Sequence, residues 1–127
     1  MREEAAWFLR KAEHALRAAE TLLAANDPET AVGRAYYCML HNAQALLSEQ
    51  DVRFRKHSSV HGAFGQHFAK TGLLDPKFHR WLLDSYDDRI RGDYDTECVI
   101  GEESASLRIV QAREFLQAAR QWLEAQA

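Results

Sequence analysis

Long uninterrupted apolar runs are missing from this 127-residue sequence. Charged residues break every such stretch, and the opening Met1-Arg2-Glu3-Glu4 has no apolar leader, so neither a membrane span nor a secretion signal is expected and the chain is placed in the cytoplasm. Cysteine is scarce. Cys38 and Cys98 fit no CxxC or Cys/His spacing, which argues against a zinc site or redox pair; both are expected to stay thiols, Cys38 as a small apolar filler. A basic excess is absent as well, since the net charge is −3. Any nucleic-acid contact must then be local or shared with a partner. The one concentrated positive segment, Arg53-Phe54-Arg55-Lys56-His57, suits phosphates but equally suits a solvated loop. There is no strand-like alternation, Asn-Gly hairpin signal or glycine-rich phosphate loop, which argues against sheet-based nucleotide folds; no cofactor is expected.

What the sequence does contain is helical periodicity, in a length that fits a single domain spanning 1–127. Phe8, Ala12, Ala15, Ala19 and Leu22 recur at three- and four-residue steps and predict a helix over roughly 2–25. Asp27-Pro28 is a cap-and-start signal for a second helix reaching about Glu49, with Ala35, Met39, Ala43, Leu46 and Leu47 on its apolar side. Along one edge of that helix Arg34, Tyr37, His41, Gln44 and Ser48 form a polar stripe. Ser58 or Ser59 is expected to cap a short helix that carries Phe64 and Phe68 and stops at Thr71-Gly72. Asp75-Pro76 starts a fourth helix whose face runs through Phe78, Trp81, Leu82, Tyr86 and Ile90 to Gly92. The last, Glu102 to about Ala125, is read through Leu107, Val110, Phe115, Ala118 and Trp122. The expected fold is all-α: an antiparallel up-and-down four-helix bundle with a short additional helix.

Several strings go beyond packing. Gly33-Arg34-Ala35-Tyr36-Tyr37-Cys38-Met39-Leu40-His41-Asn42-Ala43 is similar to the "RAYYAMFHAA" helix of small stand-alone prokaryotic HEPN proteins. Lys56-His57-Ser58, Phe64-Gly65-Gln66-His67-Phe68, Lys70-Thr71-Gly72 and Arg89-Ile90-Arg91-Gly92-Asp93-Tyr94 follow in the same order, so the resemblance spans about residues 5–120. It implies a helical bundle, usually a homodimer, often paired with a minimal nucleotidyltransferase in a toxin–antitoxin system. Many such relatives are metal-independent ribonucleases whose motif is an arginine, four to six residues and a histidine. Here Arg89 is followed after four residues by Tyr94, and the last histidine of the chain is His79.

Metal-free RNA cleavage needs a base for the 2′-hydroxyl, a cation for the phosphorane and an acid for the leaving oxygen. In the catalytic version of the resemblance Arg89, Asp93 and Tyr94 form the cleft and His41 or His57 moves the proton. Arg34, Tyr37, His57 and Arg91 would then hold nucleotide or RNA. Tyrosine, with an ordinary pKa of about 10, is a poor base at neutral pH. In the non-catalytic version, which the missing histidine favours, the same arginines bind nucleotide or RNA and a nucleotidyltransferase partner transfers adenylate to Tyr94, or to Tyr37. The bland alternative for Arg89, Asp93 and Tyr94 is a helix C-terminal network, and for Arg34, Tyr37 and His41 a stripe fixing helix register. His57 and His61 have the spacing of two metal ligands on one helix face but lack a third, so no metal is expected. Both functional versions require the Arg34 stripe and the Arg89–Tyr94 corner to meet in one groove.

Overall fold

In a computed structural model that describes residues 1–94 and 99–126, five α-helices carry the fold, and the described residues contain no strand. They are α1 (Glu3–Ala24), α2 (Pro28–Glu49), α3 (His57–Phe64), α4 (Lys77–Tyr94) and α5 (Glu102–Glu124). A π-helical turn, Gly65–Ala69, extends α3. The expected all-α bundle of four long helices with one short helix is the observed architecture. Cys98 lies outside the described residues, as does most of the stretch after Tyr94.

Local signals explain the element ends. Asp27 Oδ1 accepts from the Thr30 amide at 3.3 Å, and Pro28 takes the first helical position, where its missing N–H costs nothing. Asn26, at φ 65°, makes the left-handed step between α1 and α2, a conformation asparagine tolerates better than most residues. Asp75 Oδ1 accepts from the Lys77 amide at 2.9 Å where α4 begins. Gly72, at φ 76°, ends the π turn's exit with a backbone that L side chains resist.

Cross-helix pairs establish the directions. Arg2 at the start of α1 donates its amide to Glu49 at the end of α2, at 2.8 Å. Glu13 and Glu20 of α1 pair with Arg120 and Arg113 of α5, so the later residue of one helix meets the earlier residue of the other. Lys77–Glu114 and Asp88–Arg108, at 3.3 and 2.6 Å, do the same for α4 and α5. The four long helices therefore run up, down, up and down. α2 packs against all the others and is the most buried, with Val32, Ala35, Tyr36, Met39, Leu40, Ala43 and Leu46 sealed from solvent. Phe64, Phe68, Phe78 and Phe115 form an aromatic cluster with ring centroids 5.1–5.5 Å apart that ties α3, the π turn, α4 and α5 together. Truncating one such ring to alanine costs about 3–5 kcal/mol.

Three expectations are corrected. α3 begins at His57 with no side-chain cap, so Ser58 and Ser59 lie inside it. α4 continues through Gly92 to Tyr94, which puts Arg89 and Asp93 on successive turns of one helix. α5 buries Ala105, Ile109, Ala112, Phe115, Leu116, Ala119 and Leu123, whereas Leu107 and Val110 are 50% and 55% exposed. Phe115 is buried as expected and Ala118 and Trp122 pack partly on the core, so only the first half of the expected face, Leu107 and Val110, is displaced, its place taken by Ala105, Ile109 and Ala112.

Candidate functional site

A hollow of about 220 Å³ opens between the start of α2 and the end of α4, lined by Glu29, Thr30, Gly33, Arg34, Tyr37, Arg89 and Asp93. The mid-bundle stripe and the α4 exit therefore meet. They meet because α2 and α4 are antiparallel and pack closely at this end: a Cβ built on Gly92 would lie 3.3 Å from Cγ of Glu29.

Tyr37 is the centre of the arrangement. The Arg34 guanidinium carbon lies 4.7 Å from its ring centroid, an i,i+3 contact along α2, and that of Arg89 lies 5.1 Å away, reaching across from α4. Arg89 also faces the Tyr36 ring at 5.8 Å, and its Nη2 is 3.8 Å from Oδ2 of Asp93. At that separation Asp93 offsets part of the charge without engaging the guanidinium in a tight fork. Arg34 is exposed and Arg89 half-buried, so two cations converge on one ring in a hollow open to water.

Histidines flank the same ring. His57, the first residue of α3, lies 5.8 Å from the Tyr37 centroid. Burial and the nearby Arg89 charge hold its pKa below the ordinary value. His41, one turn beyond Tyr37, lies 6.1 Å from it and donates from Nδ1 to Gln44 Oε1 at 2.8 Å. Burial lowers its pKa; the Gln44 bond opposes this, while Lys11, His57 and Arg34 add to it. Both imidazoles are thus biased toward the neutral form, which can accept a proton.

Beneath the hollow, the fully buried Tyr36 has its hydroxyl 2.8 Å from Nε2 of buried His61, and Tyr86 packs against both rings at 5.3 and 4.9 Å. Burial, with His57 and His79 nearby, pushes the pKa of His61 down to about 4. Burial raises that of Tyr36 above the ordinary tyrosine range. His61 faces Tyr36 while His57 faces Tyr37, and among the described residues no three His, Cys, Asp or Glu side chains gather as metal ligands.

Of the residues singled out from the sequence, Arg34, Tyr37, Arg89 and Asp93 line the hollow, and His41 and His57 stand beside it. Arg91 and Tyr94 are exposed, Tyr94 by 79%, and do not line it. On a helix they point away from the Arg89–Asp93 edge. Glu29, Thr30 and Gly33 were missed, although extending the Arg34 stripe back by one turn reaches them. The Tyr36–His61 pair carried no local signal. The positive loop is partly neutralised, because Arg53 donates to Glu4 and Asp51 at 2.7 and 2.6 Å.

The HEPN domain family matches residues 5–122. The chain is 34% identical to a UPF0332 protein of Gloeobacter violaceus, covering 91% of this chain and 93% of that one. It is 32% and 34% identical to two proteins of Methanocaldococcus jannaschii named as candidate toxins, covering 91% of this chain and 79% and 86% of theirs. No described helix is long and apolar enough to cross a membrane.

Proposed function

The chain belongs to the HEPN domain family, and from that premise we propose that it is the HEPN-type half of a toxin–antitoxin-like pair, a homodimeric module that holds nucleotide or RNA phosphate in the hollow between α2 and α4. The observation that carries this reading is the convergence of Arg34 and Arg89 on the Tyr37 ring. Both guanidiniums line the same hollow, and a phosphate seated there would be attracted by both and accept N–H bonds from them. The ring adds a face or edge against which a base can pack. The names of the two archaeal relatives agree with a toxin-like role.

The test is fluorescence anisotropy with labelled nucleotide and RNA. R34A and R89A should each weaken binding about tenfold or more and make it less steeply salt-dependent. Binding unchanged by both substitutions rules the reading out. The partner in this scheme is a minimal nucleotidyltransferase that transfers AMP from ATP to the hydroxyl of Tyr94, the exposed last residue of α4, with release of pyrophosphate and the phenolic proton. Mass spectrometry of the co-expressed pair checks that part: no AMP on any tyrosine removes it.

A second reading, a metal-independent endoribonuclease, is favoured by His57. Its lowered pKa leaves it neutral at pH 7, able to take the 2′-hydroxyl proton while Arg89 faces the phosphorane. Asp93 lines the same hollow and His41 flanks it, whereas Tyr94 lies outside and takes no part in this version. Intact RNA after incubation with the protein in EDTA excludes this version and leaves the binding role standing.

A further inference from the structure

Further along the stripe that begins in the hollow, Gln44 borders a second, smaller recess. It is an apolar crevice of about 50 Å³ walled by Phe8 of α1, Leu47 of α2, Val52 and Phe54 of the loop after α2, and Val60 of α3. Ion pairs brace its rim: Arg53 donates to Glu4 of α1 at 2.7 Å and to Asp51 at 2.6 Å, and Asp51, at φ 63°, turns the chain out of α2. Bulky apolar side chains stand around it in water. Phe54 is 48% exposed, and Trp7, edge-on to Phe8 at 5.0 Å, is 47% exposed. An unfilled apolar recess beside exposed aromatic surface has the make-up of an interface core, whereas a loop that only closes a fold turns such rings inward. The charges around it are one-sided. Glu4 and Asp51 are engaged by Arg53, and Asp51 also by Arg2 at 3.3 Å. Among the described residues Arg10, Lys11, Arg55 and Lys56 form no ion pair, so a chain of net charge −3 carries a positive rim here.

We propose that this crevice docks an acidic segment of a partner protein, which seats one branched aliphatic side chain against Phe8, Val52 and Val60 while its carboxylates meet Arg55, Lys56 and Lys11. The size of the recess selects the anchor. A benzene ring fits a cavity of about 150 Å³, so a crevice of about 50 Å³ is too small for an aromatic side chain or a nucleobase and accepts the tip of a leucine or isoleucine. The sign of the rim selects the rest of the segment: acids are attracted, whereas a second copy of this chain, meeting the patch with its own, would set like cations against each other. Docking also reaches the candidate site. Gln44 lines the crevice, and its Oε1 accepts from His41 Nδ1 at 2.8 Å, so an anchor seated there touches the group that orients the imidazole beside the hollow. The proposal stands apart from what the hollow itself binds.

The experiment titrates the full chain, isotope-labelled for NMR, with a short peptide of aspartate, glutamate and serine that carries one central leucine. The peptide should bind saturably with a Kd below about 1 mM, shifting the methyl signals of Val52 and Val60 and the ring signals of His41. Changing its leucine to alanine should weaken it about tenfold, and changing its acids to lysines should abolish binding. R55E and K56E, both at exposed positions, should each weaken it several-fold and flatten its salt dependence. V52F, which fills the crevice, should bring the leucine peptide down to its alanine version, and the two charge reversals keep the test independent of how V52F folds. R89A should leave peptide binding unchanged, which separates the crevice from the hollow. No binding up to about 1 mM, equal binding of the leucine and alanine peptides, or loss of binding in R89A overturns the proposal. So does an oligouridylate that moves the Val52 and Val60 signals while the peptide does not, which makes the rim a nucleic-acid surface. Signals of Val52 and Val60 that shift on dilution while the peptide fails to bind also overturn it and give the crevice to a second copy.

Discussion

The Tyr36 hydroxyl and the His61 Nε2 are held 2.8 Å apart inside the bundle, directly under the ring of Tyr37 and the guanidinium of Arg89. This bond joins α2 to α3 and braces the wall on which the candidate site is built. Replacing Tyr36 by phenylalanine leaves a buried imidazole nitrogen without its partner, and such a group costs about 1–3 kcal/mol. Urea unfolding of Y36F should show a lower midpoint with an unchanged slope. A midpoint equal to that of the parent would mean the bond contributes nothing net.

The same pair sets a pH dependence. The folded-state pKa of His61 is about 4, below the ordinary value of about 6.5, because burial and the neighbouring His57 and His79 disfavour its charged form. The unfolded chain therefore takes up this proton first as pH falls. Stability is fully present above about pH 6.5 and declines between about 6.5 and 4, with His41 and His57 pulling in the same direction. Thermal unfolding across that window should follow this course, and H61Q should flatten it. A midpoint rising on acidification contradicts the assignment.

Gly65 and His79 offer a test of packing. A Cβ on Gly65 would lie 2.6 Å from Nε2 of His79, a ring held by a 3.1 Å contact to the His61 carbonyl and packed against Phe64. Alanine gains up to about 1 kcal/mol in helix propensity, but overpacking costs about 1–3 kcal/mol, so G65A should be destabilising. In an H79A background the collision is gone and G65A should become neutral or stabilising. A double-mutant cycle that closes additively refutes the contact.

Arg89 is required by its shape as well as its charge. R89K keeps the charge but not the planar group facing Tyr36 and Tyr37. Its binding of labelled RNA should fall between the parent and R89A. The salt slope should stay near the parent's in R89K and drop by about one in R89A. Full recovery by lysine would make the stacking irrelevant.

Cys38 is fully buried, and burial pushes its thiol pKa up to about 12, with the Asn42 contact opposing only in part. In a C98S background a thiol reagent should find no target until urea unfolds the chain. Rapid labelling of the folded protein would place Cys38 elsewhere.

Much of this was readable from residue order. Pro28 to Glu49 was bounded correctly because Asp27-Pro28 is a start signal with a mechanism, and the Arg34–Tyr37 stripe followed from three- and four-residue steps. The meeting of Arg34 with Arg89 is a requirement of the chemistry that the antiparallel packing of α2 and α4 meets. On α5 the Phe115–Trp122 half of the face follows the expectation, while Leu107 and Val110 point outward and Ala105 and Ala112 take the close helix contacts that small residues suit. Tyr36 with His61 was out of reach: it depends on how α3 folds back onto α2, which no local spacing encodes.

The central place of α2 has a consequence for motion. A helix touched by each of the other four α-helices cannot be released by loosening any one of them, so its amides should be the last to exchange with deuterated water, at the rate of global unfolding. Arg34 and Tyr37 ride on that slowest part, whereas Arg89 stands near the end of α4, a helix held less extensively by its neighbours. Any opening of the hollow should therefore come from one wall swinging against a fixed one.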